Sequence, residues 1–280
     1  MSLRIVVVAC ETPDQQDSRR ERSGQASHET LEEAIRAERP DVAVEHASCV
    51  DGSEPDAAVL ARCDGVAFGG SPISMHEDTS ETRSAARFMA AVFESGTPSF
   101  GSCAGMQIAA VAAGGRVAPR GSGMRAAITR AVTRTEAGRG HPLLAGRPDA
   151  WDVPAMHSSI VTELPPGAVA LARTPGTPVE AMEVRHGQGI HWGVQYHPEV
   201  GLGAIAEAIG ASASELVENG LAGDEDEVGR YAERLTALGR DPDRRDIAWQ
   251  LGIGEEAAVA GKRRREVANF LRLAAGEGAR

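Results

Sequence analysis

Of the 29 basic residues in this 280-residue chain, one is lysine, Lys262. That scarcity removes chemistry. Arg263 follows it where a phosphate-cradling P-loop would need Ser or Thr. A Schiff base, or a Cys-Glu-Lys hydrolase triad, would have to use this same residue, which stands in a charged helical tail. The net charge of −11 argues against a nucleic-acid partner. The arginine-rich stretches at Arg19–Arg22 and Lys262–Arg265 read as solvated faces. Long apolar runs are missing too. The run Leu3–Ala9 is too short for a signal peptide or a membrane span, and nothing later is longer. The four cysteines, Cys10, Cys49, Cys63 and Cys103, show no C-x-x-C pairing and no metal-ligand spacing. The expectation is therefore a cytoplasmic protein with free thiols, no membrane partner, no metal and no cofactor. No internal repeat or low-complexity run stands out.

What is present is ordinary globular composition, 42% hydrophobic and 25% charged. A chain of this length suffices for one large α/β domain plus an appendage and buries roughly three quarters of its unfolded surface. Leu3–Ala9 is a continuous β-branched run, the pattern of a strand buried on both faces. Residues 11–27 are polar and charged and read as a long loop. Thr30-Leu-Glu-Glu33 resembles a capping box opening a helix to about Ala37. Asp41–His46 and Gly65–Phe68 are the next strands. Asp78-Thr-Ser-Glu81 caps a helix with an apolar face of Ala85, Met89, Val92 and Phe93. Pro98–Phe100 is a fourth strand. Four successive βα units predict an α/β fold with a doubly wound, mostly parallel sheet.

Beyond Arg125 the texture changes to short strands with turn signals: Ala127–Thr133, Val169–Ala172, Val179–Val184 and Gly189–Val194. They predict an antiparallel excursion that returns at Gly193-Val-Gln-Tyr-His-Pro-Glu199. From Ile205 the pattern is helical. Val228, Tyr231, Leu235 and Leu238 mark one helix that Gly239 stops, and a single last helix spans Glu255 to about Ala275. The division is residues 1–205 as the main domain and 206–280 as a helical C-terminal extension. That extension could pack on its own domain, form a homodimer or dock a partner, and the sequence does not choose.

Gly101-Ser-Cys-Ala-Gly105, between a strand and a helical segment, has the layout of a nucleophile elbow with Cys103 as nucleophile. A sharp strand-to-helix turn strains the nucleophile's backbone and leaves no room for neighbouring β-carbons, hence the glycines. The helix starting there presents free N–H groups and a positive dipole end, which favour thiolate. The same five residues also read as a buried thiol in a Gly-rich turn. Cysteine catalysis needs a base and a group that orients it. His197 and Glu199 flank Pro198 at a strand end, where alternate residues point the same way. The N–H groups of Ala104 and Gly70 are candidates for an oxyanion hole. Gln107, four residues after Cys103, falls on the same helix face.

Gly101-Ser-Cys-Ala-Gly-Met-Gln107 with Tyr196-His-Pro-Glu199 resembles the class I (triad-type) glutamine amidotransferases, nearest to the glutaminase domain of GMP synthases. The resemblance covers about residues 3–205 and implies their flavodoxin-like fold. It implies that Cys103 attacks the side-chain amide of L-glutamine and forms a thioester, with His197 as acid and base and Glu199 orienting it. It also implies substrate contacts from Gly69, Ser71 and Gln107, and from Ser158 and Ser159 in the histidine-containing segment Met156–Ser159. His157 itself reads as a loop-shaping residue. The ammonia acceptor would be held by a separate synthetase subunit. Ala104 and Ser102 depart from the family, which carries a larger residue after the nucleophile and an apolar one before it. Ser158 and Ser159 stand where GMP synthases have Gly and Asp. No Ser-Gly-Gly-x-Asp loop is present, so the likeness is to the glutaminase part alone. Two other readings stand beside it: a free-standing γ-glutamyl amide hydrolase, and a catalytically silent binding module.

Overall fold

The computed structural model describes residues 2–277. In the first half of the chain, strands β1 (Arg4–Ala9), β2 (Ala43–Ser48), β3 (Gly65–Phe68) and β4 (Ser99–Ser102) alternate with helices. These are α1 (Pro13–Ser23), α2 (Ser27–Glu38), the short α3 (Ala57–Leu60), α4 (Ser80–Ser95) and α5 (Ala104–Ala112). Seven strands follow: β5 (Arg116–Pro119), β6 (Ile128–Arg134), β7 (Ala150–Pro154), β8 (Ser159–Glu163), β9 (Ala168–Thr174), β10 (Thr177–His186) and β11 (Gly189–Val194). The chain then turns helical, with α6 (Leu202–Ala211), α7 (Ala213–Glu218), α8 (Glu225–Arg240) and α9 (Arg245–Leu251). Three further pieces, α10 (Glu255–Ala258), α11 (Ala260–Arg263) and α12 (Arg265–Ala274), complete it.

Nine strands form one sheet in the order β2-β1-β3-β4-β11-β10-β9-β6-β7, and β5 pairs with β8 apart from it. β2, β1, β3, β4 and β11 are parallel, and β10, β9, β6 and β7 continue the sheet antiparallel. This is the expected α/β sheet with its antiparallel excursion. β11 is its hinge, since it closes the parallel half against β4 and opens the antiparallel half against β10.

Both faces of the parallel half are covered, which explains the unbroken apolar runs. Val6, Val8, Val66 and Phe68 pack with Met89, Val92 and Phe93 of α4 and Met106 of α5. Ile5, Val7, Phe100 and Trp192 face the other way, against Leu31 and Ile35 of α2 and Val267, Phe270 and Leu271 of α12. Phe270 stacks on Phe100 with centroids 5.6 Å apart. The far end of the chain thus supplies a covering layer of the sheet. α6, α8 and α9 build a third cluster on Leu202, Ile205, Leu235, Leu238 and Ile247. Among the described residues no helix is long and apolar enough to cross a membrane.

Four expectations are corrected. Residues 11–27 are not a loop. Thr12 and Gln15 form a capping box, Pro13 opens α1 and Gly24 closes it in the left-handed region. No α1 residue is buried, so the apolar period that betrays a helix is missing. α2 begins at Ser27 rather than Thr30, because the Glu29 carboxylate accepts from the Ala26 N–H at 2.7 Å. Gly239 lies inside α8, where a β-carbon would stand 3.1 Å from Gly203 N and 3.2 Å from Leu202 Cβ. It permits close packing on α6 and does not end the helix. The last helix is three pieces, interrupted where Val259 turns extended and where the Arg263 carbonyl accepts from Arg147 instead of continuing the helical ladder.

Candidate active site

Parallel pairing of β4 with β11 sets Ser102 opposite Val194, so the next residues of both strands meet at the sheet's carboxyl edge. There Cys103 N–H donates to the Val194 carbonyl at 2.7 Å. Cys103 has φ 50 and ψ −103, a left-handed-region conformation that non-glycine residues rarely adopt. The glycines make this turn possible. A β-carbon on Gly101 would stand 2.5 Å from the Gly105 backbone, and one on Gly105 would stand 2.7 Å from Phe68 Cβ. Ala104 is the first residue of α5, so its N–H is among the amides a helix start leaves free.

On β11's continuation the alternation sorts the side chains. Gln195 and His197 turn toward Cys103, while Tyr196 turns to the opposite face and donates to Glu266 of α12 at 2.8 Å. His197 is anchored by its N–H to the Pro154 carbonyl at 2.8 Å. Its Nδ1 lies 2.8 Å from Glu199 Oε1. Burial works against the charged imidazole, but the Glu199 carboxylate and the adjacent Cys103 sulfur outweigh it and push the pKa up to about 10. The imidazolium is therefore the form that faces the sulfur. Ser102 Oγ donates to the same Glu199 oxygen at 2.8 Å.

The remaining expected residues divide. A cavity of about 730 Å³ is lined by Cys103, His197 and Glu199, and also by Ser71, Gln107, Ser158 and Ser159. Gly70 passes so close to His197 that a β-carbon there would meet Cε1 at 2.5 Å. Gly69 instead faces Ser27 and His28 at the start of α2, 3.3 Å from Ser27 Oγ measured from its would-be β-carbon. Ser71 Oγ donates to the Cys10 carbonyl at 2.5 Å and accepts from Ile73 N–H, so its hydroxyl is spent on loop shape. Gln107 is 3% exposed, and its Nε2 donates to the Ser159 carbonyl at 3.0 Å and to Gln195 Oε1 at 3.1 Å. His157 is buried, with Nδ1 3.2 Å from the Ser159 carbonyl. Burial, then the charges of Arg125, His197 and Arg120, lower its pKa to about 3.

Three participants escaped the sequence reading. Gln195 Nε2 points at Cys103 Sγ from 3.6 Å, and its place two residues before His197 on a strand was the available signal. His76 Nδ1 lies 3.2 Å from Ser159 Oγ, a contact across 83 residues that no local pattern announces. Arg263 reaches the cavity from α11.

Known proteins resemble this chain in sequence and in fold. The family model described as "Glutamine amidotransferase class-I" matches residues 24–212. A gamma-glutamyl-L-1-hydroxyisopropylamide hydrolase of a Pseudomonas species is 34% identical over 221 residues, 78% of this chain and 75% of that one. A glutamine-hydrolyzing GMP synthase subunit from Methanoculleus marisnigri is 32% identical over 155 residues, 55% of this chain and 75% of that one. Among solved structures, a glutamine amidotransferase of Thermotoga maritima superposes with a TM-score of 0.65 at 16% identity, covering 97% of this chain and 99% of that one, which speaks for the fold alone. The chain belongs to the class-I glutamine amidotransferase family.

Proposed function

We propose that the chain hydrolyses the amide of a γ-glutamyl compound, with L-glutamine as the reference substrate, through a thioester on Cys103. The observation that carries the reading is the sulfur at a strained elbow, facing an imidazole whose other nitrogen meets Glu199 at 2.8 Å. Cys103 Sγ attacks the amide carbonyl carbon, and the oxyanion develops toward the N–H groups of Ala104 and Gly70. The C–N bond breaks as the departing nitrogen takes the proton held by His197. Water then attacks the thioester, His197 accepts its proton, and glutamate leaves with the cysteine restored. Glu199 holds the imidazole in register throughout. Gln107, Ser158 and Ser159 shape the glutamyl side of the cavity.

Two amines could leave. Ammonia, passed to a separate synthetase chain, is supported by the likeness to one subunit of a GMP synthase. A substituted amine, released by a free-standing hydrolase, is supported by the Pseudomonas relative, whose match extends over more of this chain. A glutamine-like electrophile should add one covalent adduct to the protein and none to Cys103→Ala, read by intact mass. No adduct would sink both readings. Ammonia release from glutamine, compared with amine release from γ-glutamyl alkylamides, then separates them: turnover of glutamine that rises with a co-purifying chain favours the first, and preference for the alkylamide the second.

A further inference from the structure

The cavity does not end at the sulfur. Besides Cys103, His197 and Glu199, its wall includes residues of α1, α2 and α6 and Arg263 at the end of α11. Its volume of about 730 Å³ falls among pockets that enclose ligands well beyond glutamine in size.

Among the described residues Arg263 is a buried cation that forms no ion pair. It is 6% exposed, its Nη1 donates to the Ala257 carbonyl at 2.9 Å, and its Nε is buried with no acceptor. The neighbouring arginines are all matched. Arg264 pairs with Glu38 at 2.8 Å, Arg265 with Glu256 at 2.6 Å, and Arg147 with Glu266 at 2.6 Å. Among the described residues no carboxylate pairs with Arg263. Of the acids on the cavity wall, Glu11 is engaged with Arg19 and the Ser27 N–H, Glu33 with Gln25, and Glu199 Oε1 with Ser102 and His197, while Asp14 and Glu207 make no ion pair with Arg263. The Glu199 carboxylate, whose Oε2 is buried and without a hydrogen bond, is the negative group that acts on the guanidinium through space. Burial, and then the positive charge of Arg264, lower the Arg263 pKa to about 10. A guanidinium kept in this state costs free energy that an incoming anion would offset, and its planar fork suits a carboxylate.

Resting on the hydrolase reading above, we propose that Arg263 is the carboxylate receptor of a leaving-amine subsite. The amide to be cleaved then bears, on its nitrogen side, a short chain ending in a carboxylate. Gln107, Ser158 and Ser159 reach the cavity from α5 and from the connection into β8, whereas Arg263 stands against Gly201, two residues past Glu199, with Nη2 3.5 Å from a would-be β-carbon there. Ala34 of α2 and Ala204 and Ala208 of α6 also line the cavity, and their small side chains leave width for an alkyl linker. The C-terminal extension would thus choose the amine, while the elbow performs the cleavage.

The test compares kcat/KM for two γ-glutamyl amides, one of a straight-chain ω-amino acid and one of the same chain ending in a neutral carboxamide. The unmodified protein should favour the acid at least tenfold. In Arg263→Gln that ratio should fall to near one, and Arg263→Lys should recover part of it. No preference in the unmodified protein, or a preference that survives Arg263→Gln, overturns the proposal. So does an equal loss on both substrates with a displaced pH profile, which would make Arg263 a support for Glu199. A third probe lacking the α-carboxylate tells the two carboxylate sources apart: if Arg263→Gln erases the penalty for removing that group, the guanidinium serves the glutamyl side and the proposal falls. Covalent capture of Cys103 in the unmodified protein monitors the hydrolase reading separately. A captured sulfur with no carboxylate preference overturns the subsite alone.

Discussion

Ser102 and Glu199, 97 residues apart, are joined by a 2.8 Å hydrogen bond in which the serine hydroxyl donates to Oε1. The same oxygen meets His197 Nδ1. A polar residue immediately before the nucleophile therefore braces the carboxylate that orients the imidazole. Hydrogen bonds to a charged group contribute about 1.5–3 kcal/mol. Ser102→Ala should lower kcat by roughly tenfold or more, with a smaller change in KM, because the bond acts on the orientation of His197 and not on substrate. Steady-state kinetics on glutamine or a γ-glutamyl amide would show this, and an unchanged kcat would remove Ser102 from the site.

Gln195 offers the second expectation. Its carboxamide donates toward Cys103 Sγ at 3.6 Å and is held by Gln107 at 3.1 Å. Gln195→Leu keeps the bulk and deletes the donor, so capture of Cys103 by an electrophile at neutral pH should slow by about tenfold. Capture at the original rate would show that the sulfur does not depend on this amide.

Stability should fall on both sides of neutrality, through different histidines. His191 is fully buried, and burial alone lowers its pKa to about 3. His157 is lowered to about 3 as well. The unfolded chain binds protons on both rings below the ordinary value of 6.5, so their contribution is present above it and is lost as pH falls from there toward 3. His197 has the opposite sign. Held at about 10, it stabilises fully below 6.5, and that contribution is lost as pH rises through 10. Urea titrations at pH 7 and pH 5 should show a shallower acid loss in His191→Gln, by up to about 1.4 kcal/mol per pH unit. A slope equal to that of the unmodified protein would contradict a neutral buried ring.

The junction between α12 and the sheet sets a fourth expectation. Glu266 is fully buried and accepts from Arg147 at 2.6 and 2.8 Å and from the Tyr196 hydroxyl at 2.8 Å. Breaking a buried pair from one side strands the other charge. Glu266→Ala should therefore destabilise by about 3–5 kcal/mol. Tyr196→Phe deletes one hydrogen bond and should cost about 1–3 kcal/mol. Denaturant midpoints measure both, and a Glu266→Ala variant as stable as the parent would mean that α12 is not tied to the sheet by this network.

At the elbow, Gly101→Ala would force a β-carbon to within 2.5 Å of the Gly105 backbone. No flexible side chain stands there to give way. The variant should lose both stability and Cys103 reactivity, whereas alanine at Gly121, which meets nothing within 4 Å, should be tolerated in the same thermal-melt and labelling assays.

By itself the sequence determined the parallel sheet, the elbow at Cys103 and the strand that delivers His197 and Glu199. These rest on short-range physics: a β-branched run buried on both faces, glycines where a turn has no room, and alternation along a strand. α1 reads as a loop in the sequence, because a helix with no buried residue carries no apolar period. Tertiary structure alone decided what surrounds the sulfur. That Ser102 meets Glu199, that Gln195 and not Gln107 points at Cys103, that Tyr196 fastens to Glu266 and that Arg263 opens into the cavity all depend on which strand lies beside β4 and which helix covers the sheet. Polar contacts between residues dozens of positions apart leave no periodicity in the chain. Only the order of the sheet brings them together.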